Sequence, residues 1–427
     1  MRRSGLFTGL LVALCASPSL QAALCTQDVV PAATLLYPYF EVDAACAATP
    51  ATNTEFTVTN THHEPIVSRV TLWTNAGVPG LTFDVYLNGY DQQTIDLDRV
   101  FCDGFLPSTG SAVETRGRLS ANAIAYPGCN ATATPPAAPV YGGDGAISAS
   151  AATELRARFS GQPLPSSTTQ CMSRPNGRST IDGYITIDVV DRCSATPIGT
   201  AGFGAHLTAK NVLIGSALHY SHSDNSSFSL PAVPIEAASG TQIDDSASFY
   251  ALPGIPSGSR REPLPVAWST EQGSGGVAGA RAEHIVWRAP PIVGTAFACA
   301  TGPSWFPLPL GNKTGFGSRG VFHVRDDGSA VRTERLAPVP VMAQRVIATA
   351  EFPELATTPV AAGWTYFNLA RPDTSADFPA QAWVATVRRA PGAYALLHEG
   401  IPNGDACSAP AFNNQFTGPL QDQAGPP

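Results

Sequence analysis

The chain is poor in charge and almost without lysine. Asp, Glu, Lys and Arg make up only 14% of its 427 residues, and Lys210 and Lys313 are the only lysines. A net charge of −8 with scattered arginines excludes the basic stripe that nucleic acid or an anionic lipid surface selects. No C-x-x-C pair occurs and no cysteine lies within four residues of a histidine, so the ligand spacing of a zinc site is missing. There is no G-x-S-x-G elbow and no Asp-x-Asp-x-Asp calcium run, and beyond the N-terminus no stretch is apolar enough to span a bilayer. None of these patterns implies a cofactor.

What is there begins with an export signal. Arg2 and Arg3 precede an apolar run from Leu6 to Ala16, and Gln21-Ala22-Ala23 supplies a small-residue exit. The run is about half of the roughly 20 residues a membrane helix needs. Residues 1–22 are therefore expected to be a cleaved signal peptide, which takes the formal charge from −8 to −10. Its removal also takes Cys15. An even set remains: Cys25, Cys46, Cys102, Cys129, Cys171, Cys193, Cys299 and Cys407. In an exported chain these read as four disulfides, and short loops favour chain order: Cys25–Cys46, Cys102–Cys129, Cys171–Cys193 and, by elimination, Cys299–Cys407.

Gly (39) and Pro (38) are too abundant for a helical bundle and suit a β protein with many turns. Period-2 alternation is clearest between Thr54 and Phe101, where four segments are split by Asn60–Pro65, a break before Phe83, and Asn88–Asp91. Asn130–Ala152 reads as a long Ala/Pro/Gly-rich loop. A short helix follows, with Leu155 and Phe159 one turn apart and Gly161 placed to end it. Further strands are expected around Tyr184–Val189, Asn211–Tyr220, Phe228–Glu236, His284–Trp287, Val321–Arg325, Val331–Arg335, Trp364–Leu369 and Gln381–Val387. The fold class is all-β: antiparallel β-sandwich domains with long Pro/Gly/Ala-rich loops and one short helix. Residues 23–250 form an N-terminal sandwich, 251–280 a linker or surface loop, and 281–427 a C-terminal β domain.

The strand ending Thr59-Asn60, the one ending Leu72-Trp73-Thr74 and the strand Phe83–Leu87 resemble those of uncharacterised exported bacterial β-rich proteins. That resemblance implies secretion and β structure and carries no activity. An internal echo is also visible: Phe56–Asn60 followed by the Trp73 strand is similar to Trp364–Asn368 followed by the Trp383 strand, as duplicated sandwiches would be.

Candidate chemistry is thin. Gly315-Phe316-Gly317-Ser318-Arg319-Gly320 matches a dinucleotide fingerprint but lacks the strand before it and the helix after it, and reads as a loop. His219, His222 and Asp224 could ligate a metal only from a turn, because residues three apart on a strand face opposite ways. His62-His63-Glu64 reads as a solvated hairpin tip. Glu236, Asp244, Asp245, Glu283, Glu351 and Glu399 offer carboxylates for a hydrolase, with nothing to pair any two. Trp305-Phe306, set among prolines, is the binding candidate: exposed flat aromatics stack on sugars or anchor proteins. The sequence points to an exported, non-enzymatic surface or matrix protein that binds extracellular glycan or protein through loops, with no nucleic-acid partner, no metal and no transmembrane segment in the mature chain. A secreted hydrolase with a dispersed site and a structural subunit of an extracellular assembly are the rival readings.

Overall fold

The computed structural model describes residues 30–106, 147–161, 173, 178–192, 206–237, 264, 267–272, 280–288, 292–293, 296–297, 303–304, 320–325, 330–333, 339–340, 343–348, 363–369, 382–390, 392 and 394–402. Nine strands make the first sandwich: Thr34–Asp43 (β1), Thr52–Asn60 (β2), Ile66–Thr74 (β3), Pro79–Leu87 (β4), Gln92–Asp96 (β5), Thr180–Val190 (β6), Leu213–Ser221 (β7), Ser226–Pro231 (β8) and Val233–Ile235 (β9). Their antiparallel sheets run β4-β3-β6-β1-β9 and β5-β2-β7-β8. The facing sides carry Leu35, Tyr37, Val70, Leu72, Ile185 and Ile187 against Phe56, Val58 and Ala217, all buried.

Nine further strands make the second sandwich: Ala267–Gln272 (β10), Arg281–Arg288 (β11), Gly320–Arg325 (β12), Ala330–Thr333 (β13), Gln344–Ala348 (β14), Gly363–Asn368 (β15), Ala382–Ala390 (β16), Tyr394–Glu399 (β17) and Ile401–Pro402 (β18). Their sheets run β13-β12-β15-β10-β18 and β14-β11-β16-β17. Adding nine to each strand of the first sandwich reproduces the second, in both sheets. The chain is a tandem duplication of one topology.

Register supports the match residue by residue. Thr74 faces Gly183 in β6, and Arg325 faces Gly363 in β15. Pro234 of β9 faces Leu35, and Pro402 of β18 faces Trp268. The residue entering each of these last strands makes the same bond: Ala232 N–H donates to Gly215 O at 3.0 Å, and Gly400 N–H to Val384 O at 2.8 Å. The echo seen in the sequence set the repeat in another register. β15 and β16, which carry Trp364 and Trp383, correspond to β6 and β7 and not to β2 and β3.

Two readings change in detail. Residues 267–272, inside the 251–280 stretch read as a linker, form β10, which sits between β15 and β18. Strand β1 has no counterpart in the sequence reading, because Pro38 interrupts Thr34–Asp43 and proline removes a ladder donor. The register shifts between Tyr37 and Phe40, so Pro38 falls at a bulge where no ladder bond is required. The expected helix is present and ends at Gly161, in the left-handed region, but it starts inside the stretch read as loop: Ala149–Ser160 (α1) is capped by Ser148, whose Oγ accepts from Ala151 N–H. Its Phe159 packs on Phe40 and Phe101. Among the described residues no helix is long and apolar enough to cross a membrane.

Cys46 and Cys102 are joined, with Cα atoms 5.4 Å apart across a sequence separation of 56. This overturns Cys25–Cys46 and Cys102–Cys129. Loop length favoured neighbours in the chain, but folding sets the end of β1 against the π-helical turn Arg99–Asp103 that follows β5. Cys25, Cys129, Cys171, Cys193, Cys299 and Cys407 lie outside the described residues. Replacing both Cys46 and Cys102 by alanine is expected to cost about 2–4 kcal/mol, since the bond closes a long loop of the unfolded chain. Non-reducing peptide mapping checks the pairing, and a Cys25–Cys46 peptide would sink it.

Candidate functional site

Among the described residues, a dense group of ionisable side chains lies where the two sandwiches meet. The outward face of the first sandwich's five-stranded sheet packs on the outward face of the second's four-stranded sheet. The aromatic contact is Tyr184 of β6 edge-on to Trp287 of β11, with centroids 5.8 Å apart. Around it, Glu283 of β11 takes Arg178 at 2.9 Å, Arg389 at 3.4 Å and Arg281 at 3.8 Å. Arg389 also reaches Glu41 of β1 at 3.6 Å, and Arg281 reaches Asp224 at 3.2 Å. Backbone bonds close the seam: Gly392 N–H donates to Asp224 O, and Ala343 and Gln344 N–H both donate to Asn75 O.

Three arginines therefore meet three carboxylates. Burial lowers the Arg178 pKa, yet the nearby Tyr39, Glu283 and Glu41 carry it upward overall. Tyr39 donates to Glu41 at 2.6 Å, and its phenol is pushed well up by burial and then by the Glu41 charge. Such a set holds two bodies together; every formal charge in it has a partner of opposite sign, which its most buried part, Arg389 with Glu283 and Glu41, requires.

Beside the seam, His219 is buried and sandwiched between Tyr39 and Phe228, with ring centroids 5.3 and 4.6 Å away. Its Nδ1 lies 3.0 Å from Thr54 Oγ1, and among the described residues its Nε2 has no hydrogen-bond partner. Burial, then the Arg389 charge, pushes its pKa down to about 3. His222 sits on the β7–β8 turn against Tyr220, and Asp224 is taken by Arg281, so the three residues do not converge on an ion. Among the described residues no group of three or more His, Cys, Asp or Glu could hold a metal.

The three hydrolase carboxylates among the described residues do not converge either. Glu283 is committed to arginines, while Glu236 and Glu399 follow β9 and end β17, in different sandwiches, each raised by burial. Asp244, Asp245 and Glu351 lie outside the described residues, as do Trp305 and Phe306. Near the disulfide, Asp98 is pushed up to about 6 by burial and by Asp96, Asp103 and Asp43. Asp43 already accepts from Ala45 and Ala51 N–H and Asp96 from Asn53, which makes this group a set of loop caps.

A second place is built and exposed. Tyr90, in the turn between β4 and β5, is 73% exposed and has φ 59°, a left-handed conformation that a bulky residue seldom adopts. The neighbouring β2–β3 turn holds it there. Tyr90 N–H donates to His62 O at 2.9 Å, and Asn60 N–H to Asp91 O at 2.9 Å. The buried Asn60 amide donates to Glu64 O at 2.8 Å and Asn88 O at 2.9 Å while accepting from His62 N–H. Gly89 permits this approach, because a Cβ there would stand 2.0 Å from His63 O. His62 and His63 lie on the same tip with their rings 4.2 Å apart. The sequence marked both turns, but nothing in it said that Asn60 would staple one to the other. No family model, curated protein or solved structure matches the chain.

Proposed function

We propose that this chain is an exported, non-enzymatic surface or matrix protein that binds extracellular glycan through loop aromatics. The observation that carries the reading is Tyr90. A left-handed tyrosine costs about 1–2 kcal/mol relative to an ordinary conformation. Glycine would meet the turn's backbone needs without that cost, so the ring itself is what the position supplies. It is flat, largely exposed and mounted on two stapled turns. The His62–His63 pair on the adjoining turn can exchange hydrogen bonds with sugar hydroxyls. Export is supported by the Arg2–Ala23 signal pattern and by Cys46–Cys102, a kind of bond that persists in oxidising compartments.

The test separates binding from stability. Tyr90→Gly removes the strain at the entropic cost of a glycine, for a net change between zero and about +1 kcal/mol. Its melting temperature is expected to equal or exceed that of the parent. On an oligosaccharide array followed by titration calorimetry, its affinity is expected to fall about tenfold, the loss of one stacked ring. No glycan binding by the parent, or full binding by Tyr90→Gly, would remove the reading. Trp305→Ala, run in parallel, reports on the other loop aromatics.

A further inference from the structure

We infer that copies of this chain associate head to tail through the two sheet faces that the internal seam leaves unused. The inference rests on the duplication and does not depend on the glycan reading. The seam joins unlike faces: the five-stranded face of the first sandwich and the four-stranded face of the second. Because the two sandwiches share one topology, each keeps a face equivalent to the one its neighbour has used. A contact between unlike faces of like units is not completed by a single pair of copies, so it carries on past the dimer into a series or a ring.

Three of the six large exposed hydrophobics among the described residues, Leu218, Trp364 and Ile401, fall on these leftover faces, at positions whose counterparts are buried. Trp364 follows Gly363 as Tyr184 follows Gly183, and both point outward from the five-stranded sheet. Tyr184, in the seam, is 1% exposed, whereas Trp364 is 38% exposed. Ile401, the counterpart of buried Val233, lies on the same outward face and is 47% exposed. On the first sandwich's four-stranded face, Leu218 stands three residues after Gly215, as Val387 stands three after Val384. Val387 is 1% exposed in the seam, and Leu218 is 44% exposed. A second copy seated on Trp364 and Ile401 through its Leu218 face repeats the contact already made within the chain.

The repeat contact is weaker than the seam. Thr59 stands where Trp287 stands in the second sandwich, so the receiving face lacks the seam's large ring. It also carries Glu55 beside Asp96. The presenting face carries Glu271, which Arg388 holds at 2.7 Å. Association is therefore reversible and tightens as salt screens the carboxylates.

Sedimentation velocity of the full, disulfide-oxidised chain from about 5 to 200 μM tests it, a range that brackets weak self-association. The expected result is concentration-dependent growth past the dimer. Leu218→Arg and Trp364→Arg are each expected to be monomeric, with melting temperatures near the parent's because both sites are exposed. Ile401→Arg serves on the same face should Trp364→Arg fold poorly. Mixing the Leu218 and Trp364 variants is expected to restore a one-to-one dimer and nothing larger, since each retains the face the other lacks. A parent that stays monomeric, variants that still associate, or a mixture that stays monomeric would each overturn the inference.

Discussion

Arg389→Met is expected to lower the stability of the folded chain by about 3–5 kcal/mol, the usual cost of removing one partner from a buried ion pair. Arg389 is buried, reaches Glu41 on one sandwich and Glu283 on the other, and lies over the Phe228 ring. Without it Glu283 keeps Arg178 and Arg281, while Glu41 keeps the Tyr39 hydroxyl and the nearby Arg178 charge but loses its ion pair to Arg389. Methionine keeps most of the side chain's length, so the loss reports the charge and not a cavity. Because the bridge crosses the seam, the sandwiches should also uncouple. Scanning calorimetry is expected to resolve two transitions where the parent shows one. Glu41→Gln in the same background should recover part of the loss, because the carboxylate that lost its ion pair to Arg389 is gone. A change under 1 kcal/mol with a single transition would mean that the seam is held by its apolar contacts alone.

Much of the first sandwich was legible because its strands alternate. Phe56 and Val58 against Thr57 and Thr59, and the turn residues at 60–65 and 88–91, announce β2, β3, β4 and β5 within a few residues. The alternation of β3 also misleads. Arg69, Thr71 and Trp73 resemble a solvated face, yet all three are buried. Arg69 forks onto Asp84 at 2.8 and 3.1 Å, and Trp73 Nε1–H donates to Thr186 at 2.8 Å. A polar row can be buried when each group finds a partner across the sheet; Asp84 comes from the neighbouring β4, but Thr186 comes from β6, a strand that no local pattern names.

Duplication was harder to read for the same reason. The repeat keeps sheet order, the glycines at 183 and 363, and the prolines at 234 and 402, while the core has been exchanged freely. Leu35 faces Pro234 where Trp268 faces Pro402, and Tyr37 holds the place of Thr270. Volume and pattern suffice to keep such a core folded, so identity decays faster than register. The seam explains why one copy of each face changed character. Four-stranded faces with one register carry Trp287, Trp383 and Val387 where contact is made, and Thr59, Ile214 and Leu218 where it is not.

Acid should find the same seam. His219 is expected to make the parent lose stability as the pH falls from about 6.5 toward 3. Its pKa in the folded chain is held down at about 3, first by burial and then by Arg389. The unfolded chain takes up a proton near the ordinary value of about 6.5, and the folded chain does not until about 3. In that window the unfolded state binds more protons, so unfolding free energy falls as pH falls, by at most about 1.4 kcal/mol per unit. The structural cause is visible at the ring. Thr54 Oγ1 serves Nδ1, whereas a proton arriving at Nε2, between Tyr39 and Phe228, would meet no acceptor among the described residues. His219→Phe keeps a flat ring in the stack and removes the titration. Its melting temperature between pH 7 and pH 4 should therefore decline less steeply than the parent's. In Arg389→Met one of the two causes is absent, so the acid-sensitive window should narrow from its lower end while burial keeps most of it open. Parallel slopes for the parent and His219→Phe would show that the acid response comes from the carboxylates and not from this ring.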